Sequence, residues 1–116
     1  MARYNAVLET MPGDIAEIVP WEVDPFYTRD AISITTSEAL AKGTVLEQTA
    51  EGGTWGKVTA GTGALGILVS DIPASDEAQQ VGIVSRCSVA VAEKLTIAAA
   101  ADTAKAALVK QGIKLI

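Results

Sequence analysis

The chain has no histidine, one cysteine and five aromatic side chains among its 116 residues. Without histidine it lacks the usual general base, the commonest metal ligand and any Ser-His or Cys-His pairing, which removes much of enzymology. A single cysteine, Cys87, excludes an intramolecular disulfide and a thiolate metal cluster. It lies in a run of alternating apolar residues and reads as a small buried hydrophobe. Basic residues number nine against fourteen acidic ones, and nowhere do they gather as a phosphate-tracking surface would, so direct nucleic-acid binding is not expected. No apolar run approaches membrane-spanning length, and the start of the chain lacks a basic segment followed by an apolar one. The expectation is a protein without membrane contact, made and used in a cytosol-like compartment.

What is present is small and aliphatic. Hydrophobic residues make up 49% of the chain, and 20 of them are alanine, so the core of this one-domain chain has to be thin and finely packed. Such a subunit gains from burying surface against copies of itself. The acidity is lopsided: residues 1–30 carry six acids against Arg3 and Arg29, whereas the other 86 residues carry eight acids and seven bases. Three of the four prolines, Pro12, Pro20 and Pro25, fall in the same region and push their neighbours toward extended geometry. Residues 1–30 therefore read as an extended arm and residues 31–116 as the domain. The arm's apolar residues, among them Met11, Ile15, Ile18, Val19, Trp21, Val23, Phe26 and Tyr27, are too many for a tail left in water. They require a partner surface or the arm's own domain.

From residue 31 the pattern is that of short strands. Ile32 and Ile34 alternate with smaller residues over 31–35; residues 36–42 form a loop that dips Ala39 and Leu40 inward. Gly43 permits a turn into a strand over 44–48, and a glycine hairpin at 51–54 leads to a return strand over 55–58. Residues 65–69 are nearly continuously apolar, as in a strand buried on both faces. Residues 71–76 form a loop, and residues 81–91 a long strand with Val81, Ile83, Cys87, Val89 and Val91 on its buried face and a bend near Gly82. Asp102 is placed to cap a helix running to about Gln111, with Ala104, Ala107, Leu108 and Gln111 on one side and Lys105 and Lys110 exposed. Gly112 ends it, and residues 113–116 return as a strand. Many short strands with glycine turns and one late helix predict a mainly β, barrel-like domain.

Two features imitate chemistry. Gly61-Thr-Gly-Ala-Leu-Gly66 is a literal G-x-G-x-x-G, but it leads into β-branched residues rather than a helix, so it reads as a glycine-rich turn and not a nucleotide site. Asp71, Asp76 and Glu77 read as solvated acids of a loop rather than as a catalytic or cation-binding set. No catalytic residue, cofactor or metal is expected.

Three stretches taken together, residues 26–46 (FYTRDAISITTSEALAKGTVL), 63–71 (GALGILVSD) and 108–116 (LVKQGIKLI), resemble in order and spacing the head decoration proteins of tailed bacteriophages, the family of the lambda capsid-stabilising protein D. The resemblance covers about residues 26–116. Within it, Tyr27-Thr28-Arg29-Asp30 stands where the family has an aromatic-Ser-Arg-Glu step between arm and barrel, with hydroxyl and charge kept. The resemblance implies a small β-clip fold and a mechanical role. It implies a homotrimer on the outside of the expanded capsid, at three-fold points, that stabilises the shell after DNA packaging through an arm strand added to the major capsid protein lattice. The protein would then belong to the virion's outer surface, after a stage in the host cytoplasm. Met11, Ile15, Ile18, Val19, Trp21, Phe26, Tyr27 and Arg29 are the candidate capsid contacts. A surface-displayed adhesin or host-binding module is the alternative, to be recognised by an exposed Trp21 or Trp55 patch.

Overall fold

The computed structural model describes residues 17–24, 28–48 and 53–116. Among them the strands are β1 (Trp21–Glu22), β2 (Arg29–Thr36), β3 (Val45–Gln48), β4 (Trp55–Lys57), β5 (Ala64–Leu68), β6 (Ser75–Val84), β7 (Ser88–Ala90) and β8 (Ile113–Leu115), with a single 3-10 turn at Ala92–Lys94 and the helix α1 (Ala101–Lys110). Five strands form an antiparallel sheet in the order β2-β6-β5-β3-β4; the other three form a small sheet in the order β1-β7-β8. In the small sheet β1 runs antiparallel to β7, and β8 parallel to it. The expected mainly β domain with one short C-terminal helix is thus found, as two sheets rather than a closed barrel. The edge strands β2 and β4 come side by side without a ladder between them. Trp55 borders the crevice at that seam together with Ser33, Thr35, Thr54 and Ala78.

The thin core is split in two. One cluster joins Val45, Leu65, Ile67 and Val84 of the large sheet to Ala90, Ala104, Leu108 and Ile113 of the small sheet and helix. The second lies on the opposite face of the large sheet and contains Ile34, Leu40, Leu46, Leu68, Ile72, Val81 and Ile83. Successive residues of a strand point to opposite faces, so Val45 and Leu46, or Ile67 and Leu68, feed different clusters. That is why β5 reads as an unbroken apolar run. Gly66 sits between the two, and a Cβ there would lie 2.9 Å from both Cβ and Cγ1 of Ile83. Gly66→Ala is therefore expected to overpack the second cluster and cost about 1–3 kcal/mol. Differential scanning calorimetry should show this as a drop in Tm on the order of 10 °C.

Three expectations need correction. The single strand over 81–91 is two: β6 ends at Val84, and Ser85–Cys87 make a turn in which Cys87 has φ of +51°. The turn shifts the alternation by one residue, so Ser88 and Ala90 are buried while Cys87, Val89 and Val91 are only partly so. β6 also begins far earlier than expected, at Ser75, because its polar first half is held by pairing with β2 (Ser33 with Gln80, Ile34 with Gln79) rather than by burial. Finally, the helix starts at Ala101 after Ala100 at φ 51°, and no side chain caps it. Alanine's helix propensity extends it by a turn's fraction, which leaves Asp102 in the first turn, where its charge still suits the helix dipole.

Other expectations hold. Leu40 is buried and bridges to Ile72, although Ala39 is exposed. Ala104 and Leu108 face the core, Gly112 adopts φ of +94°, and β8 follows. Lys110 is exposed as expected, whereas Lys105 is half-buried rather than exposed. Gln111 secures the helix end by donating to the carbonyls of Leu65 and Ser85 at 2.8 and 2.9 Å and accepting from the Leu65 N–H at 2.9 Å. The hairpin turn expected at 51–54 lies partly outside the described residues, but β3 and β4 pair as that hairpin requires.

Candidate functional site: the root of the arm

Residues 17–24, the described part of the segment expected as an arm, are built into the domain. Ile18 and Val19 are buried in the first core cluster, at 6% and 4% exposure, and the Val91 N–H donates to the Ile18 carbonyl at 2.8 Å. β1 then pairs with β7, Trp21 opposite Val89 and Glu22 opposite Ser88. Alternation along β1 turns Glu22 inward and leaves Trp21 and Val23 exposed.

Glu22 is the partner that the sequence reading missed. Its carboxylate accepts from Arg29 Nη2 at 2.8 Å, from Arg29 Nε at 3.0 Å and from the buried Thr28 hydroxyl at 2.9 Å. The next residue, Asp30, accepts from Arg86 Nη2 and from the Ser85 hydroxyl, each at 2.7 Å. Thr28-Arg29-Asp30 therefore ties β2 to β1 on one side and to the turn before β7 on the other. A planar guanidinium meeting a nearly buried carboxylate with three contacts is a strong form of this pairing. Arg29→Ala should lower stability by about 1–2 kcal/mol, because Glu22 would keep a buried charge with fewer partners. Hydrogen exchange should show faster exchange at Val23, whose N–H donates to the Cys87 carbonyl.

Of the eight candidate contacts, then, Ile18 and Val19 are placed in this chain's own core, Trp21 faces outward, and Arg29 holds Glu22. Met11, Ile15, Phe26 and Tyr27 lie outside the described residues.

The glycine-rich segment cradles an anion after all, and the anion is internal. Glu47, 3% exposed on β3, accepts from the N–H of Thr59 at 2.9 Å, Ala60 at 3.2 Å and Gly63 at 2.8 Å. Burial alone would push its pKa up, but the backbone N–H groups of Thr59, Gly63, Gly61 and Ala60 outweigh burial and lower it from 4.5 to about 2. The segment enters strand β5 rather than a helix, as expected.

The remaining acids do not converge. Asp71 accepts from the Lys42 N–H at 2.8 Å, Asp76 and Glu77 are exposed on β6, and no group of three or more acids and cysteines that could hold a metal occurs among the described residues. An open groove of about 520 Å³ passes Asp30, Gln48, Trp55, Arg86 and Gln111, where Asp30 and Arg86 are paired with each other. Among the described residues no helix is long and apolar enough to cross a membrane.

No curated protein and no solved structure matches the chain. The family described as bacteriophage lambda head decoration protein D matches residues 9–114, a span that takes in residues ahead of β1 and both sheets, all but the end of β8. With nearly the whole sequence inside that match, the chain belongs to the lambda head decoration protein D family, the structural proteins of phage capsids.

Proposed function

We propose that the protein is a non-catalytic homotrimer that binds the outside of the expanded phage shell at its three-fold positions and stabilises it after DNA packaging. The observation that carries this reading is the family match over residues 9–114. The physical chemistry supports it. A cyclic trimer lets a subunit with a thin, alanine-rich core bury further apolar surface. It also presents three arms at once, so attachment of the first raises the effective concentration of the others, and weak single contacts become a firm hold. Residues 1–30 serve as the attachment device, with Met11 and Ile15 ahead of β1 and with Trp21, Phe26, Tyr27 and Arg29 at its root. An extended, proline-spaced segment suits addition as a strand to the major capsid protein. A ligand that binds only the expanded lattice stabilises that lattice by mass action. Nucleic acid and membrane play no part, and the protein passes through the host cytoplasm before assembly.

Electron microscopy of expanded shells, with and without the purified protein, tests the reading. Added density at every three-fold position, with shells that resist heat or chelator better, is the expected result. Bare shells, or two-fold density, would overturn it. Bare shells together with binding of the protein to host cells would favour the adhesin, for which the exposed Trp21 is the feature of interest.

A further inference from the structure

The crevice at the seam of β2 and β4 has a volume of about 430 Å³, in the usual range of small-ligand sites. Its lining is Ser33, Thr35, Thr54, Trp55 and Ala78: three hydroxyl-bearing residues, one indole, one methyl and no charge. The strands dictate this mixture. Ile32 and Ile34 pack toward the second core cluster, so Ser33 and Thr35, which alternate with them along β2, stand exposed on the other face. On β6, Asp76 and Gln80 share a face with Ala78, and Gln80 is the cross-strand partner of Ser33. Trp55 is half-buried, packed against the second core cluster while it borders the crevice. The indole is thereby a platform already held in place, so a ligand does not have to order it.

We propose that this crevice binds a neutral pyranose unit of a glycan, its C–H face on the Trp55 indole and its hydroxyls bonded to Ser33, Thr35 and Thr54. Other occupants fit the lining less well. An anion would meet no cation in the crevice and would face Asp76 beside Ala78; Lys57, on β4, is already paired with Glu38 at 3.0 Å. An added peptide strand has no lane, because β2 and β4 approach within 8 Å between Cα atoms, whereas an inserted strand needs roughly 9–10 Å. A purely apolar side chain would strip water from the hydroxyls and return nothing. A sugar ring offers an apolar face and a rim of hydroxyls, each able to donate to and accept from a Ser or Thr hydroxyl. The site belongs to the single subunit, so it stands independently of the decoration reading; copies arrayed on one particle would multiply a weak single contact.

The test titrates the full chain, labelled with nitrogen-15, with cellohexaose, maltohexaose and chitohexaose as neutral probes and with hexagalacturonate as the anionic one. At least one neutral probe is expected to shift the Trp55 indole signal and the backbone N–H signals of Ser33, Thr35 and Thr54 saturably, with a Kd of about 1 mM or tighter. Hexagalacturonate should shift none of them. Combining Ser33→Ala with Thr35→Ala, at two exposed positions, should leave Tm unchanged and weaken binding at least fivefold, while Trp21→Ser should leave binding unchanged. Trp55→Ala should abolish binding, but it also removes packing from the second core cluster, so the double variant carries the decision. No saturable shift with any neutral probe would overturn the proposal. So would shifts centred on Trp21, full affinity in the double variant, or hexagalacturonate bound as tightly as the neutral probes.

Discussion

Replacing Glu47 by glutamine is expected to cost about 2–4 kcal/mol, one of the largest losses available from a single side chain in this fold. The change leaves several buried N–H groups facing an amide that can accept fewer hydrogen bonds and brings donors of its own. The pH dependence separates charge from shape. Because the folded-state pKa is lowered from 4.5 to about 2, the carboxylate's contribution is complete above roughly pH 4.5 and is lost as the pH falls toward 2. Unfolding of wild type and Glu47→Gln in urea, followed from pH 7 to pH 2, should show the stability gap widest at neutral pH and narrowing steadily below pH 4.5. A gap of equal size at both ends would mean that the charge contributes nothing and that only packing was lost.

Two truncations should behave very differently. Removing residues 2–16 spares every described residue, whereas removing residues 2–24 also takes Ile18, Val19, β1 and Glu22. Burial of one such aliphatic side chain is worth about 1.5–3 kcal/mol, so the step between the truncations should be roughly 3–6 kcal/mol. That is a large share of a small domain's whole stability of about 5–15 kcal/mol. Circular dichroism melts should therefore place the longer truncation far below the shorter, and the longer one should express poorly. On the proposed function both fail to decorate shells, the shorter while still well folded. A longer truncation as stable as the shorter would show that the Ile18 and Val19 packing is dispensable.

Much of this could be read from the sequence where burial decides the outcome. β5 is legible because both of its faces meet a core, and the helix because Ala104 and Leu108 repeat at its period. Where hydrogen bonding decides, the pattern is silent. The polar half of β6 is a strand because β2 lies beside it, and nothing in Ser75 to Gln80 advertises that neighbour. The turn at Cys87 was hidden because a non-glycine residue takes the positive φ. Glu22 carries no local sign of Arg29, which lies seven residues on in a strand of the other sheet. The glycine-rich turn was visible, but its occupant, Glu47, comes from the strand before the hairpin.

The way β1 lies along β7 sets how the subunit bears load. On the proposed function, a pull applied along the axis of β1 strains the Val91–Ile18 and Val23–Cys87 hydrogen bonds and the Trp21–Val89 pair together, in shear. They cannot be opened one at a time like a zip. The Arg29–Glu22 clasp passes part of the tension sideways into β2, the longest ladder in the molecule, and so away from the short strands of the small sheet. On that same reading, a shell under internal pressure would draw on the whole domain as a brace.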